Sequence, residues 1–213
     1  MSPRDGDLLP RHGHAARVAH WAVALVFTML FLSGLALFSP FFYWLSALFG
    51  GGPLMRFLHP LAGVVLVAVF YPYALAHVRD NRWLPADSQW VAHMFAYMRK
   101  EHADIGETHK YNGGQKLMYW SMLPIIAALA ITGVMLWQPW FAPAFSPAAR
   151  RVAGLVHAAS AFVMFVGIGV HVYAALWTKG AIDAMIRGTV TRAWARFHHP
   201  AWYREVTGGK GGR

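Results

Sequence analysis

Cysteine is absent from all 213 residues. Disulfides, thiolate-held iron–sulfur clusters and covalent haem attachment through C-x-x-C-H are thereby excluded. Charge is scarce as well: Asp, Glu, Lys and Arg make up 13% of the chain, against roughly a quarter of an average soluble domain. Negative charge is scarcest. All nine acidic residues lie in the N-terminal arm, between positions 79 and 116, or in the tail after 178, so no apolar run holds a carboxylate. That counts against a proton or ion path through the spans, and so against a transporter. Neither an internal repeat nor a low-complexity linker is expected. A cleavable signal is not expected either, because seventeen mostly polar residues precede the first apolar run and no small-residue cleavage pattern follows it.

What the chain has in abundance is apolar surface. Hydrophobic residues make up 57%, and four runs are each long enough to cross a hydrocarbon core of about 30 Å. The spans are expected at about 20–38, 54–78, 116–137 and 151–177, with a tail at 178–213. The fold class is therefore an all-α membrane protein, a four-helix bundle forming one membrane domain over 1–213. Sixteen of the nineteen Lys and Arg residues fall in the arm, the long connection between the second and third spans, and the tail; only Arg56, Arg150 and Arg151 fall in the other two connections. The positive-inside rule then places both termini in the cytoplasm. The net charge of +10 is explained by that bias and by anionic lipid headgroups, with no nucleic-acid partner.

Within the long connection, SQWVAHMFAYMRK (88–100) alternates apolar and basic residues at helical spacing. It reads first as an amphipathic anchor on the inner membrane surface. The outer connections, SPFFYWLSALFGGGP (39–53) and QPWFAPAFSPAA (138–149), are rich in aromatic residues. Interfacial aromatic belts account for part of this and a docking surface for an outer partner for the rest. The closing GGKGGR (208–213) reads as a frayed terminus.

Twelve histidines remain to be explained. In the fourth span His157 and His171 are fourteen residues apart, which is about 21 Å of rise and about 1,400° of rotation, so both rings leave nearly the same helix face. Ionisable residues at membrane depth mark functional sites by default. His59, in RFLHP near the outer end of the second span, lies level with His157; His20, in RVAHW at the inner end of the first, lies level with His171. Two imidazole pairs, one per leaflet, are what two bis-histidine haem irons require. Four residues inward from each histidine stand Ala24, Gly63, Ala161 and Gly167, small enough to admit a porphyrin edge, although small residues also serve close helix packing. Without cysteine, any haem is b-type. The other eight histidines, at 12, 14, 77, 93, 102, 109, 198 and 199, read as ordinary surface residues. At the inner end, HKYNGGQK (109–116) offers paired glycines for close backbone approach and, in Asn112 and Gln115, two amides able to hold a ligand carbonyl oxygen. On composition alone it reads first as a turn entering a helix.

RVAHW, SGLALF, RFLHP, KYNGGQKLMYWS, TGVMLW, the HAA and HVY of the fourth span, WTKGAIDAMIRG and HHPAWYRE occur in one order between Arg17 and Glu205. Together they resemble the gamma subunit, cytochrome b, of membrane-bound formate dehydrogenase of the nitrate-inducible type. The resemblance implies two b haems, one ligated by His59 and His157, the other by His20 and His171. It also implies a quinone, menaquinone or ubiquinone, contacted by Asn112 and Gly114; the family often has Ala in place of Gly113. The implied partners are an iron–sulfur beta subunit and a molybdenum or tungsten catalytic alpha subunit outside the bacterial inner membrane. Electrons then cross to quinone at the cytoplasmic side, electrogenically, because formate releases its proton outside. Alternatives are the cytochrome b of a hydrogenase or thiosulfate-type reductase or, from a different class, a haem-free anchor or metal transporter.

Overall fold

A computed structural model describes residues 7–99 and 107–208. Most of the GGKGGR end, together with Lys100 and His102, lies outside the described residues. Among the described residues, four helices are long and apolar enough to span a membrane: α1 (His14–Phe38), α2 (Gly52–Ala76), α4 (Gly113–Leu136) and α5 (Pro147–Trp177). Between α2 and α4 lies α3 (Pro85–Met98), and after α5 come α6 (Ala181–Arg187), α7 (Arg192–His198) and α8 (Pro200–Val206). The four-span all-α membrane fold expected from hydropathy is the observed one.

Large apolar side chains such as Leu25, Ile131, Leu155 and Phe162 are exposed on the spans, as lipid-facing residues must be. Pro60 and Pro72 inside α2 and Pro124 inside α4 are tolerated as they are in membrane helices generally. α5 begins four residues earlier than hydropathy suggested. Its 31 residues rise about 46 Å, and Ser146 starts it by accepting a hydrogen bond from the Ala149 N–H at 3.2 Å, with Pro147 in the first turn where no N–H is missed.

The chain divides into two compact units: a first of Met1–Arg17, Leu75–Trp120 and His171–Arg213, and a second of Val18–Ala74 and Ser121–Val170. In the second, the connection after α1 is a 3-10 helix (Pro40–Phe49), opened by Ser39 and closed by Gly50 in the left-handed region at φ 78°. Leu45 of this helix packs with Ala36 of α1 and Met55 of α2, so the aromatic-rich connection folds back onto its own hairpin.

The first unit contains two short strands that the sequence did not signal. β1 (Leu8–Pro10) pairs antiparallel with β2 (Thr189–Thr191), Leu9 opposite Val190. Leu9 and Val190 are buried with Ala184, Ala195 and Trp202. The tail is therefore a folded layer on the N-terminal arm. Gly188 makes the junction at φ 82°, where a Cβ would meet the His12 carbonyl at 2.8 Å; only glycine fits both constraints.

Candidate functional site

Two of the four span histidines face each other within the second unit. The rings of His59 (α2) and His157 (α5) have centroids 6.4 Å apart and planes inclined by 61°. Each is held by a hydroxyl from another helix: Ser33 Oγ of α1 lies 2.7 Å from His59 Nδ1, and Thr132 Oγ1 of α4 lies 2.9 Å from His157 Nδ1. A hydroxyl has a single hydrogen. Ser33 spends it on the Met29 carbonyl at 2.7 Å, and Thr132 on the Ala128 carbonyl at 2.6 Å. Both oxygens are then acceptors, both Nδ1 atoms carry the proton and donate it, and both Nε2 atoms keep a lone pair.

This arrangement fits an iron between the rings. Two metal–nitrogen bonds of about 2 Å, with the half-width of a five-membered ring, about 1 Å, at each end, span about 6 Å between ring centres, which is the observed separation. Gly34 and Gly133, each next to its hydroxyl residue, pack on the rings: a Cβ there would stand in ordinary contact, 3.5 Å from His59 Cε1 and 3.4 Å from His157 Cε1. A Cβ at Gly63 would meet nothing within 4 Å. His20 lies on α1 in the second unit, edge-on to Trp21 at 5.4 Å, and His171 lies on α5 in the first unit.

The two hydroxyl residues were not singled out from sequence, although a signal for them existed. SGLALFSPFF (33–42) and TGVMLWQPWF (132–141) share glycine, leucine, proline and phenylalanine at matching positions, with similar residues at most others. The correspondence continues toward the inner end: Arg17, His20 and Trp21 align with Lys116, Tyr119 and Trp120. The two ring pairs even share a geometry, 5.4 Å and 89° for His20–Trp21 and 5.2 Å and 90° for Tyr119–Trp120. The likeness is a local one, between the ends of α1 and α4.

In the first unit, HKYNGGQK forms the start of α4. Asn112 Oδ1 accepts from the Gln115 N–H at 2.9 Å, and Gln115 Oε1 accepts from the Asn112 N–H at 3.0 Å. This reciprocal capping box satisfies two otherwise unpaired backbone donors. It consumes both amide oxygens and leaves the two NH2 groups as donors. The glycines do permit close approach, and the approaching group is α3: a Cβ on Gly114 would stand 2.7 Å from the Trp90 ring, and one on Gly113 would collide with the Asp87 carbonyl. The amphipathic helix is therefore more than a surface anchor, since its half-buried side covers the start of α4. A buried ion pair fixes the contact, Lys116 Nζ to Asp87 Oδ2 at 2.7 Å with the Lys116 side chain 1% exposed. Asp87 also accepts from the Leu84 N–H at 2.7 Å. A cavity of about 440 Å³ reaches Lys116 past Arg82, His109 and Lys110; Asn112, Gly114 and Gln115 do not line it.

One of the histidines taken as a surface residue is not one. His199 is 3% exposed. Arg11 Nη2, which can only donate, reaches His199 Nε2 at 3.0 Å, so His199 Nδ1–H donates to the His109 carbonyl at 2.7 Å. Arg11 itself lies 5.0 Å from the Trp194 ring and 4.9 Å from the Trp202 ring, and it also donates to the Lys110 carbonyl at 2.6 Å. Burial lowers the Arg11 pKa to about 10. Burial, with the Arg11 charge second, lowers that of His199 to about 2, so the ring is neutral. The signal missed was the tryptophan pair near HHP, which reads as interfacial until a buried arginine is placed between the rings.

The family described as prokaryotic cytochrome b561 matches residues 11–188. The chain is 40% identical over 200 residues to the formate dehydrogenase cytochrome b556(fdo) subunit of Escherichia coli K12, covering 94% of each. It is 37% identical over 194 residues to the nitrate-inducible cytochrome b556(Fdn) subunit of the same organism, covering 89% of this chain and 88% of the other. To the formate dehydrogenase cytochrome b556 subunit of Haemophilus influenzae it is 36% identical over 195 residues, covering 92% and 82%. With matches of this extent added to a facing histidine pair on four apolar helices, the chain belongs to the prokaryotic cytochrome b561 family and, within it, groups with the cytochrome b subunits of formate dehydrogenase.

Proposed function

We propose that the chain carries electrons across the bacterial inner membrane within a formate dehydrogenase complex. They come from an iron–sulfur subunit on the periplasmic side, served by a molybdenum- or tungsten-containing formate-oxidising subunit, and go to menaquinone or ubiquinone at the cytoplasmic side. The facing His59–His157 pair, 6.4 Å between ring centres, is the observation that carries this reading. Bound b haems supply one-electron carriers at two depths of the membrane. His59 and His157 hold one of them through Nε2, and His20 and His171 hold the other. Asn112 and Gln115 keep their NH2 groups for the quinone oxygens while their own oxygens cap α4. Gly114 lets the start of α4 lie against the Trp90 ring of α3, beside the quinone.

The test is the haem content of the purified complex. Two low-spin b haems per chain are expected. His59→Ala should remove the haem shared with His157 and leave the other, and His77→Ala should leave the spectrum unchanged. Loss of both haems or of neither in His59→Ala, or loss of one in His77→Ala, overturns the ligand assignment.

A further inference from the structure

We infer that Ser33 and Thr132 are paired positioning residues that set the tautomer and basicity of His59 and His157, and through them the redox potential of the haem these histidines hold. The inference rests on reading the two histidines as haem ligands. It starts from burial: Ser33 is 0% exposed and Thr132 7%, and a hydroxyl placed in an apolar interior costs free energy unless it is bonded. Each bonds its own helix, at the carbonyls four and three residues earlier, and also the ring. An ordinary membrane serine or threonine needs only the first, the back-bond to the carbonyl four residues earlier. That back-bond fixes the direction of the second. With the hydroxyl hydrogen committed to the carbonyl, the oxygen accepts the Nδ1 proton, pulls electron density into the ring, and makes Nε2 a stronger donor to a metal.

The two sites are alike in sequence as well. The stretches 33–42 and 132–141 differ at many apolar positions, but both have a hydroxyl residue followed by glycine. The hydroxyl reaches Nδ1 and the glycine lies against Cε1 of the same ring. The same dipeptide therefore puts a hydroxyl on Nδ1 and a backbone within van der Waals reach of Cε1, once for each of the two rings. Because both axial ligands are tuned the same way, the two effects add in stabilising the ferric over the ferrous state.

The test uses the whole complex with Ser33→Ala, Thr132→Val, Ser33→Thr and Thr132→Ser, read by haem content and by redox titration of both haems. Loss of one such outer-shell bond typically costs about tenfold in metal affinity. Applied to the ferric state, tenfold is about 59 mV for a one-electron couple. Ser33→Ala and Thr132→Val should each raise the potential of the His59/His157 haem by about that amount and leave the other haem unmoved. Ser33→Thr and Thr132→Ser, which keep the hydroxyl, should restore the parent value. Loss of that haem in Thr132→Val but not in Thr132→Ser supports the same role. Thr132→Val and Ser33→Ala proteins with parental haem content and parental potentials would overturn the inference, even if their thermal stability fell, because a hydroxyl with a merely structural role shifts stability alone when it is removed. If the parent holds no haem, or His59→Ala leaves the haems intact, it is the ligand reading that has failed instead.

Discussion

Asn112 has one side-chain oxygen and one NH2 group, and in the proposed function they do different work. The oxygen caps α4 by accepting from Gln115 N–H, and only the NH2 remains for a quinone. Substitution can separate the two. Asn112→Ala removes both, at a cost of about 1 kcal/mol for the cap. Asn112→Asp keeps an oxygen in the capping position, where negative charge suits a helix N-terminus, and removes the donor. Both variants are expected to slow quinone reduction about fivefold, the equivalent of one hydrogen bond of about 1 kcal/mol. Asn112→Asp should do so without lowering thermal stability, and haem reduction by formate should persist in each. Quinone turnover at the parental rate in Asn112→Asp would remove Asn112 from the quinone site. A bulky residue at Gly114 is a less clean probe, because it would first displace Trp90.

Among the elements, the arm, the segment before α4 and the tail are tied through one neutral imidazole. His199 accepts from Arg11 and donates to His109, an arrangement that protonation destroys because Nε2 would become a second donor facing a cation. Its pKa falls from the ordinary 6.5 to about 2 on folding. The stabilisation is complete above about pH 6.5 and is lost progressively as pH drops toward 2. His198 is lowered in the same direction by burial and by Arg11. Hydrogen exchange at Ala201, whose N–H donates to the Thr108 carbonyl at 3.2 Å, should therefore lose up to about tenfold of protection per pH unit below 6.5 for each proton taken up. His199→Gln keeps an acceptor and a donor and cannot charge, so it should flatten that slope; an unchanged slope would show that another group controls the joint. Sequence reading reached the four spans because length and hydropathy are local, and it reached the histidines because ionisable residues are conspicuous in lipid. It missed the arm–tail joint because three-residue strands and a buried arginine have no periodicity. It missed Ser33 and Thr132 because a hydroxyl in a span is unremarkable until its partner 26 or 25 residues away is known.

At the scale of the whole molecule, the distribution of charge supplies a direction. Sixteen of nineteen basic residues and all nine acidic ones belong to the arm, the long connection and the tail, and the residues of α4 proposed to hold the quinone lie in the unit that contains those segments. If the positive side is the cytoplasm, formate oxidation and quinone reduction take place on opposite sides. Each electron then crosses against the membrane potential at a cost of about 2.3 kcal/mol per 100 mV. The measurement is proton uptake in sealed vesicles containing the complex, with orientation established by protease access to the N-terminal arm and formate supplied on the side away from that arm. Protons consumed in quinol formation should disappear from the compartment holding the arm, and an added uncoupler should speed turnover by removing the opposing potential. Uptake from the formate side with no effect of the uncoupler would mean that quinone is reduced beside His59 and His157, and the capping box of α4 would then be only the helix start that its composition first suggested.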